Sequence, residues 1–193
     1  MMQIFNIITK ILELFFIFMG LILVVIGWSI PYYQSKKMEK KHWKKKHIDN
    51  QIACFYGPIT ELLNEHRLLR LLIDKQLGQK ELFCGDYSKM SDLSENDQKI
   101  WRHFVDYYKL PIHLKIVEII RNNYHLIYKS DIPKCFRSYM EYVLGWELLD
   151  NQKKNDVPNY YEYHYIYRYP QEFDDYMNTT LAVLLKEQLD LMD

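Results

Sequence analysis

The sequence predicts a mostly α-helical protein: one N-terminal transmembrane helix followed by a cytosolic helical bundle that carries a Tyr-rich extended segment. Three observations predict the architecture. Leu14–Ile30 holds 17 residues without a charge. Five later stretches place apolar residues at helical spacing, the period of amphipathic helices. Between residues 161 and 169 tyrosine recurs at every second position, the period of extended chain. A chain of 193 residues accommodates one membrane element and one compact domain. The expected divisions are an anchor over 1–34, a basic juxtamembrane segment over 35–47 and a helical domain over 48–193.

A hydrophobic share of 49% and an aromatic share of 16% exclude a disordered chain. The 25 basic and 25 acidic side chains exclude a uniformly basic nucleic-acid binder, but they are unevenly placed. Residues 1–50 hold eight Lys and three acids, for +5, which leaves −5 on residues 51–193.

At 1.5 Å per residue the uncharged run is roughly 26 Å long, and Ile11 and Leu12 supply the turn needed to cross a bilayer. Trp28, Tyr32 and Tyr33 stand where an aromatic belt would, and Pro31 is expected to end the run. Lys10 is the only basic residue before the run and bulky residues follow it, so the segment reads as a retained anchor rather than a cleaved signal. Lys36, Lys37, Lys40, Lys41, Lys44, Lys45 and Lys46 lie beyond the span, and excess Lys marks the cytoplasmic side. The protein is therefore expected in the inner (plasma) membrane, single-pass, with its C-terminal domain in the cytoplasm. The same lysines suit anionic headgroups, although clustered Lys also binds nucleic-acid phosphates. Lys10 and Glu13, three apart, can pair with each other or face a neighbouring protomer or a watery lumen.

Helices are expected over 48–77 (interrupted or restarted at Gly57-Pro58), from Ser94 through Leu110, from Pro111 through Ile127, from a cap at Ser130 or Asp131 through Leu148, and over 171–191. Ser94 with Glu95 and Asp97 has the composition of an N-cap and acidic first turn. Residues 78–94 read as a connection. Tyr161, Tyr163, Tyr165 and Tyr167 can line a loop packed on the helices or a contact between subunits, since Tyr suits an interface with one wet end.

Cys54, Cys84 and Cys135 are too few and too scattered for a disulfide framework. Metal, nucleotide and serine-hydrolase motifs are missing from the sequence, and no cofactor is expected. Arg121 and His125 are four apart, so within one helix they share a face. Such a pair suits metal-independent RNA cleavage, in which His moves a proton and Arg stabilises phosphate charge. The competing reading pairs Arg121 with Glu118 or Glu141 and leaves His125 structural.

The run RNNYHLIYKSD, with Arg121, Asn122, Tyr124 and His125, and the following FRSYMEYVLGWELLDN resemble membrane-anchored abortive-infection proteins of the HEPN-like group. FYGPITELLNEH, with Asn64 and His66, is similar to an early helix of the same proteins. A single span before one such domain also resembles the accessory membrane protein of type VI-B CRISPR loci. The resemblance covers roughly residues 52–152. It departs at the motif, where three residues separate Arg from His instead of the four to six of nuclease members. It implies phage defence, with an RNA-guided nuclease encoded nearby as a partner. Three functions follow as expectations: a self-associating effector that depolarises the membrane through a pore, a tethered ribonuclease acting on RNA through Arg121 and His125, or a scaffold for a soluble partner.

Overall fold

The computed structural model describes residues 2–78, 94–128, 132–155 and 169–192, with side chains described from Phe15 onward apart from Ile17. It is mostly helical, with six α-helices and no strand among these residues. Tyr161, Tyr163, Tyr165 and Tyr167 lie outside the described residues, as do Cys84, Ser130 and Asp131. The chain divides into two compact units, Met1–Lys46 and His47–Asp193.

Helix α1 spans Met2–Gln51 and contains Pro31 in its interior. The expectation that Pro31 ends the run is corrected: proline removes one hydrogen bond, to the carbonyl four residues back, and a long ladder tolerates the loss. One helix near the N-terminus is long and apolar enough to cross a membrane, with a window of mean hydropathy 1.3 that is 0% buried. From Phe18 to Tyr33 every described large apolar side chain is exposed, Trp28 at 82%. Ser29 Oγ donates to the Val25 carbonyl at 2.7 Å, which satisfies the hydroxyl inside this apolar surface. Lys10 and Glu13 belong to α1, but their side chains are outside the described set. Beyond the apolar run, Lys36, Lys40 and Lys44 form one row at four-residue spacing, and Lys37, Lys41 and Lys45 the adjacent row. The Lys36 ammonium lies 5.4 Å from the Tyr32 ring centroid, and that of Lys46 lies 5.5 Å from the Trp43 centroid.

In the second unit the α-helix restarts at Gly57-Pro58, one of the two expected outcomes, and no loop forms there. The chain instead widens into a π turn, Ile52–Tyr56, in which Gly57 N–H reaches back to the Ile52 carbonyl, before α2 continues over Gly57–Gln76. The same device recurs at Leu110-Pro111. Helix α3, Glu95–Phe104, passes through a π turn, Val105–Lys109, into α4, Leu110–Asn123, with Leu110 N–H bonded to the Val105 carbonyl. A proline would strike the preceding turn and leave a carbonyl unpaired; widening that turn by one residue makes room for its ring. Ser94 caps α3 as expected, its Oγ accepting from Asp97 N–H at 3.2 Å.

Helix α4 stops at Asn123, short of the expected Ile127, and a 3₁₀ turn, Tyr124–Leu126, follows. Helix α5, Lys134–Lys154, has Pro133 as its N-cap rather than within its first turn, and α6 covers Gln171–Asp190. The core is rich in rings. Phe55, Tyr56, Phe136, Tyr139 and Phe173 are each at most 2% exposed, and Tyr139 stacks on Phe173 at 3.9 Å between centroids. Contacts of α2 with α4 and α6, and of α5 with α4 and α6, enclose this core.

Gly57 is required by the first π turn, because a Cβ there would lie 2.6 Å from the Ile52 carbonyl oxygen. Gly57→Ala is expected to destabilise the domain by about 1–3 kcal/mol, as overpacking does. Urea unfolding followed by circular dichroism checks this.

Candidate functional site

Arg121 and His125 do not share a continuous α-helix. Arg121 is in the last turn of α4, whereas His125 lies in the 3₁₀ turn beyond Asn123, whose φ of −127° and ψ of 22° leave the helical region. Arg121, Asn122, Tyr124 and His125 are all exposed. Among the described residues Arg121 forms no ion pair, and Glu141, an expected partner, bonds Arg137 at 3.1 Å instead. The turn that carries His125 is held from below. Gln51 Nε2 donates to the Leu126 carbonyl at 2.9 Å, and Tyr128 N–H donates to the Tyr56 hydroxyl at 2.9 Å. Its position therefore depends on the first π turn.

Folding brings together a second group of titratable residues inside the bundle. His66 of α2 and His113 of α4 meet edge-on, with ring centroids 4.6 Å apart. His113 is 2% exposed; its Nδ1 is 2.7 Å from the Tyr139 hydroxyl, and its Nε2 is buried without a hydrogen-bond partner among the described residues. Tyr142 and Tyr169 close over the same ring, at 5.4 and 5.8 Å between centroids.

Lys109 ends the second π turn, and its ammonium sits 3.9 Å from the centroid of Trp146 and 5.6 Å from that of Tyr142. The gap that Lys109 and His113 share with Val105, Leu110 and Trp146 does not admit a water molecule. The rings attract the charged ammonium, but removal from water opposes it more strongly. Burial, reinforced by the Arg70 charge, lowers the Lys109 pKa to about 7. Burial and then the charges of Lys109, Arg70 and Arg67 lower that of His66 to about 4. Burial, with His66 and Lys109 beside it, holds His113 well below its ordinary value. At neutral pH both imidazoles are therefore uncharged. The flanking acid, Asp174, accepts from the Tyr169 hydroxyl and lies 3.6 Å from Arg67 Nη2. Burial raises its pKa despite these two partners.

No family model matches the chain, and comparison with curated proteins and with solved structures finds no match. No group of three metal-ligating side chains occurs among the described residues.

Sequence reading named His66, in the helix that resembles other proteins, and Tyr169, at the end of the tyrosine alternation, but missed Lys109, His113, Tyr139, Tyr142 and Asp174. His113 left a signal: it interrupts the otherwise apolar inward face of Ile112, Ile116, Val117 and Ile120. Lys109 left none, because the π turn shifts the helical phase. It turns Leu110 inward and the Lys109 ammonium onto Trp146, and leaves Tyr108 46% exposed.

Tyr139→Phe would leave both ring nitrogens of His113 unpaired. The expected cost is about 1–3 kcal/mol, the penalty of an orphaned buried polar group. Chemical denaturation at pH 7.5 measures it.

Proposed function

We propose that this protein is a single-pass inner-membrane effector of antiphage defence, with its helical domain in the cytoplasm. In this reading copies associate and depolarise the membrane during infection, as accessory to an RNA-targeting system. The observation that carries the reading is the apolar surface of α1, 0% buried over the candidate span among the described residues. Water opposes that exposure at about 25 cal/mol per Å² of apolar surface, so the segment requires lipid or other copies of itself.

The lysine rows support a cytoplasmic flank. Along the helix axis Lys36 and Lys46 are about 15 Å apart, nearly two Debye lengths at physiological salt. Lys36 and Lys37 thus carry most of the attraction to anionic headgroups, and the later lysines progressively less. One span cannot enclose a pore, so self-association is a physical requirement of depolarisation. The resemblance to HEPN-like abortive-infection proteins supplies the defence context and the nearby RNA-guided nuclease as partner.

The measurement is membrane potential, read with a voltage-sensitive dye in phage-infected cells. The wild-type protein is expected to depolarise them, and a variant whose residues 11–33 are replaced by an unrelated span is expected not to. An unchanged potential in wild-type cells, together with a strictly monomeric protein in mild detergent, would overturn the proposal.

A second reading, a metal-independent ribonuclease, draws on the solvent exposure of both Arg121 and His125, which leaves them accessible to RNA. It has against it the −5 of residues 51–193 and the break in helix between the two side chains. Purified protein incubated with RNA and a chelator separates the readings. Cleavage lost in His125→Ala would establish the nuclease, whereas intact RNA, with depolarisation unaffected by that substitution, would leave the effector.

A further inference from the structure

The group at the junction of α2 and α4 has no part in either functional reading, and its composition is unusual for an interior. Basic groups outnumber acids. Helix α2 contributes His66, Arg67 and Arg70; the π turn and α4 contribute Lys109 and His113. Helix α5 contributes Tyr139 and Tyr142, and α3 the rings of Phe104, 6.4 Å from His66, and Trp101, 5.9 Å from the Lys109 ammonium. The lead into α6 adds Tyr169, and α6 adds Asp174, already engaged by Tyr169 and Arg67. A proton arriving on His113 Nε2 would find no acceptor among the described residues, and no water can enter the adjoining gap to serve as one.

We propose that this junction is a proton-operated latch, closed while His66, His113 and Lys109 are uncharged and released when protons enter it. The reason is geometric. Two imidazoles 4.6 Å apart beside an ammonium held against Trp146 cannot all be charged without separating the helices that carry them.

The direction with pH follows from linkage. The released state binds protons at ordinary values and the closed state does not, so closure strengthens as pH rises. His66 takes its proton at 6.5 when free and at about 4 when latched, so its contribution is lost as pH falls between those values. Lys109, at 10.5 when free and about 7 when latched, strengthens closure as pH rises from 7 toward 10.5.

The test is hydrogen exchange of α2 and α4 amides in the full-length protein in detergent, from pH 5 to 9, corrected for intrinsic exchange rates. The opening constant is expected to be about 30-fold larger at pH 5 than at pH 7.5 from His66 alone. It should fall further between pH 7.5 and 9. His66→Gln should flatten the acid limb, and Lys109→Met should flatten the alkaline limb. A level wild-type profile, or variants that keep the full wild-type slopes, would overturn the latch. Should either variant fail to fold, NMR titration of the wild-type imidazoles decides. His66 and His113 rings that stay neutral at pH 5 in the folded protein support the proposal, and rings that titrate near 6.5 refute it.

Discussion

Two prolines and the helical turns that accommodate them determine how this domain is assembled. Pro58 and Pro111 each follow a residue whose N–H reaches five positions back, Gly57 to Ile52 and Leu110 to Val105. A proline inside a regular helix deletes a hydrogen bond and collides with the turn before it. Widening that turn keeps the chain helical, so neither site becomes a loop. The added residue also rotates everything downstream by roughly a quarter of a turn. Phe55 and Tyr56 thereby enter the core after the first π turn begins, and Leu110 enters it just past the second, with the half-buried Lys109 beside it.

The interior that results is aromatic and polar together. Tyr56, Tyr139 and Tyr142 are buried, and each brings a hydroxyl that must be used. Tyr56 spends its oxygen on the backbone of Tyr128, and Tyr139 spends its own on His113. Neutral imidazole fits such a core, since one ring nitrogen donates and the other accepts. Charged imidazole does not, because the neighbouring groups are already basic. Burial of Lys109 follows the same logic: an ammonium held against Trp146 without a carboxylate partner is most stable when it gives up its proton.

The N-terminal unit obeys a simpler rule. Its apolar side chains from Phe18 to Tyr33 are exposed among the described residues, and the lysines follow on the same helix. Charge is thus separated along α1, apolar then basic, and the acidic excess is left to the remaining residues. That arrangement underlies the proposed topology. The proposed defence role draws on resemblance; Arg121, in the last turn of α4, and His125, in the 3₁₀ turn beyond it, are both exposed.

Local signals in the sequence were sufficient wherever one residue type has one structural consequence. A long uncharged run yields a helix of spanning length because its backbone can bond only to itself. Ser94 capped its helix because its hydroxyl reaches an otherwise unpaired N–H, and apolar periodicity located α2, α4, α5 and α6. Tertiary structure decided what depends on phase and on distant partners. The second π turn set the Lys109 ammonium on Trp146 and left Tyr108 exposed, a shift that a 3.6-residue period cannot express. Gln51 and Tyr56, more than 70 residues earlier in the chain, bond the turn that carries His125 and so part it from the helix of Arg121. His66 and His113, 47 positions apart in the sequence, became neighbours only when α2 packed on α4. Burial and proximity of charge are properties of the assembled core, and they have no local signature to read.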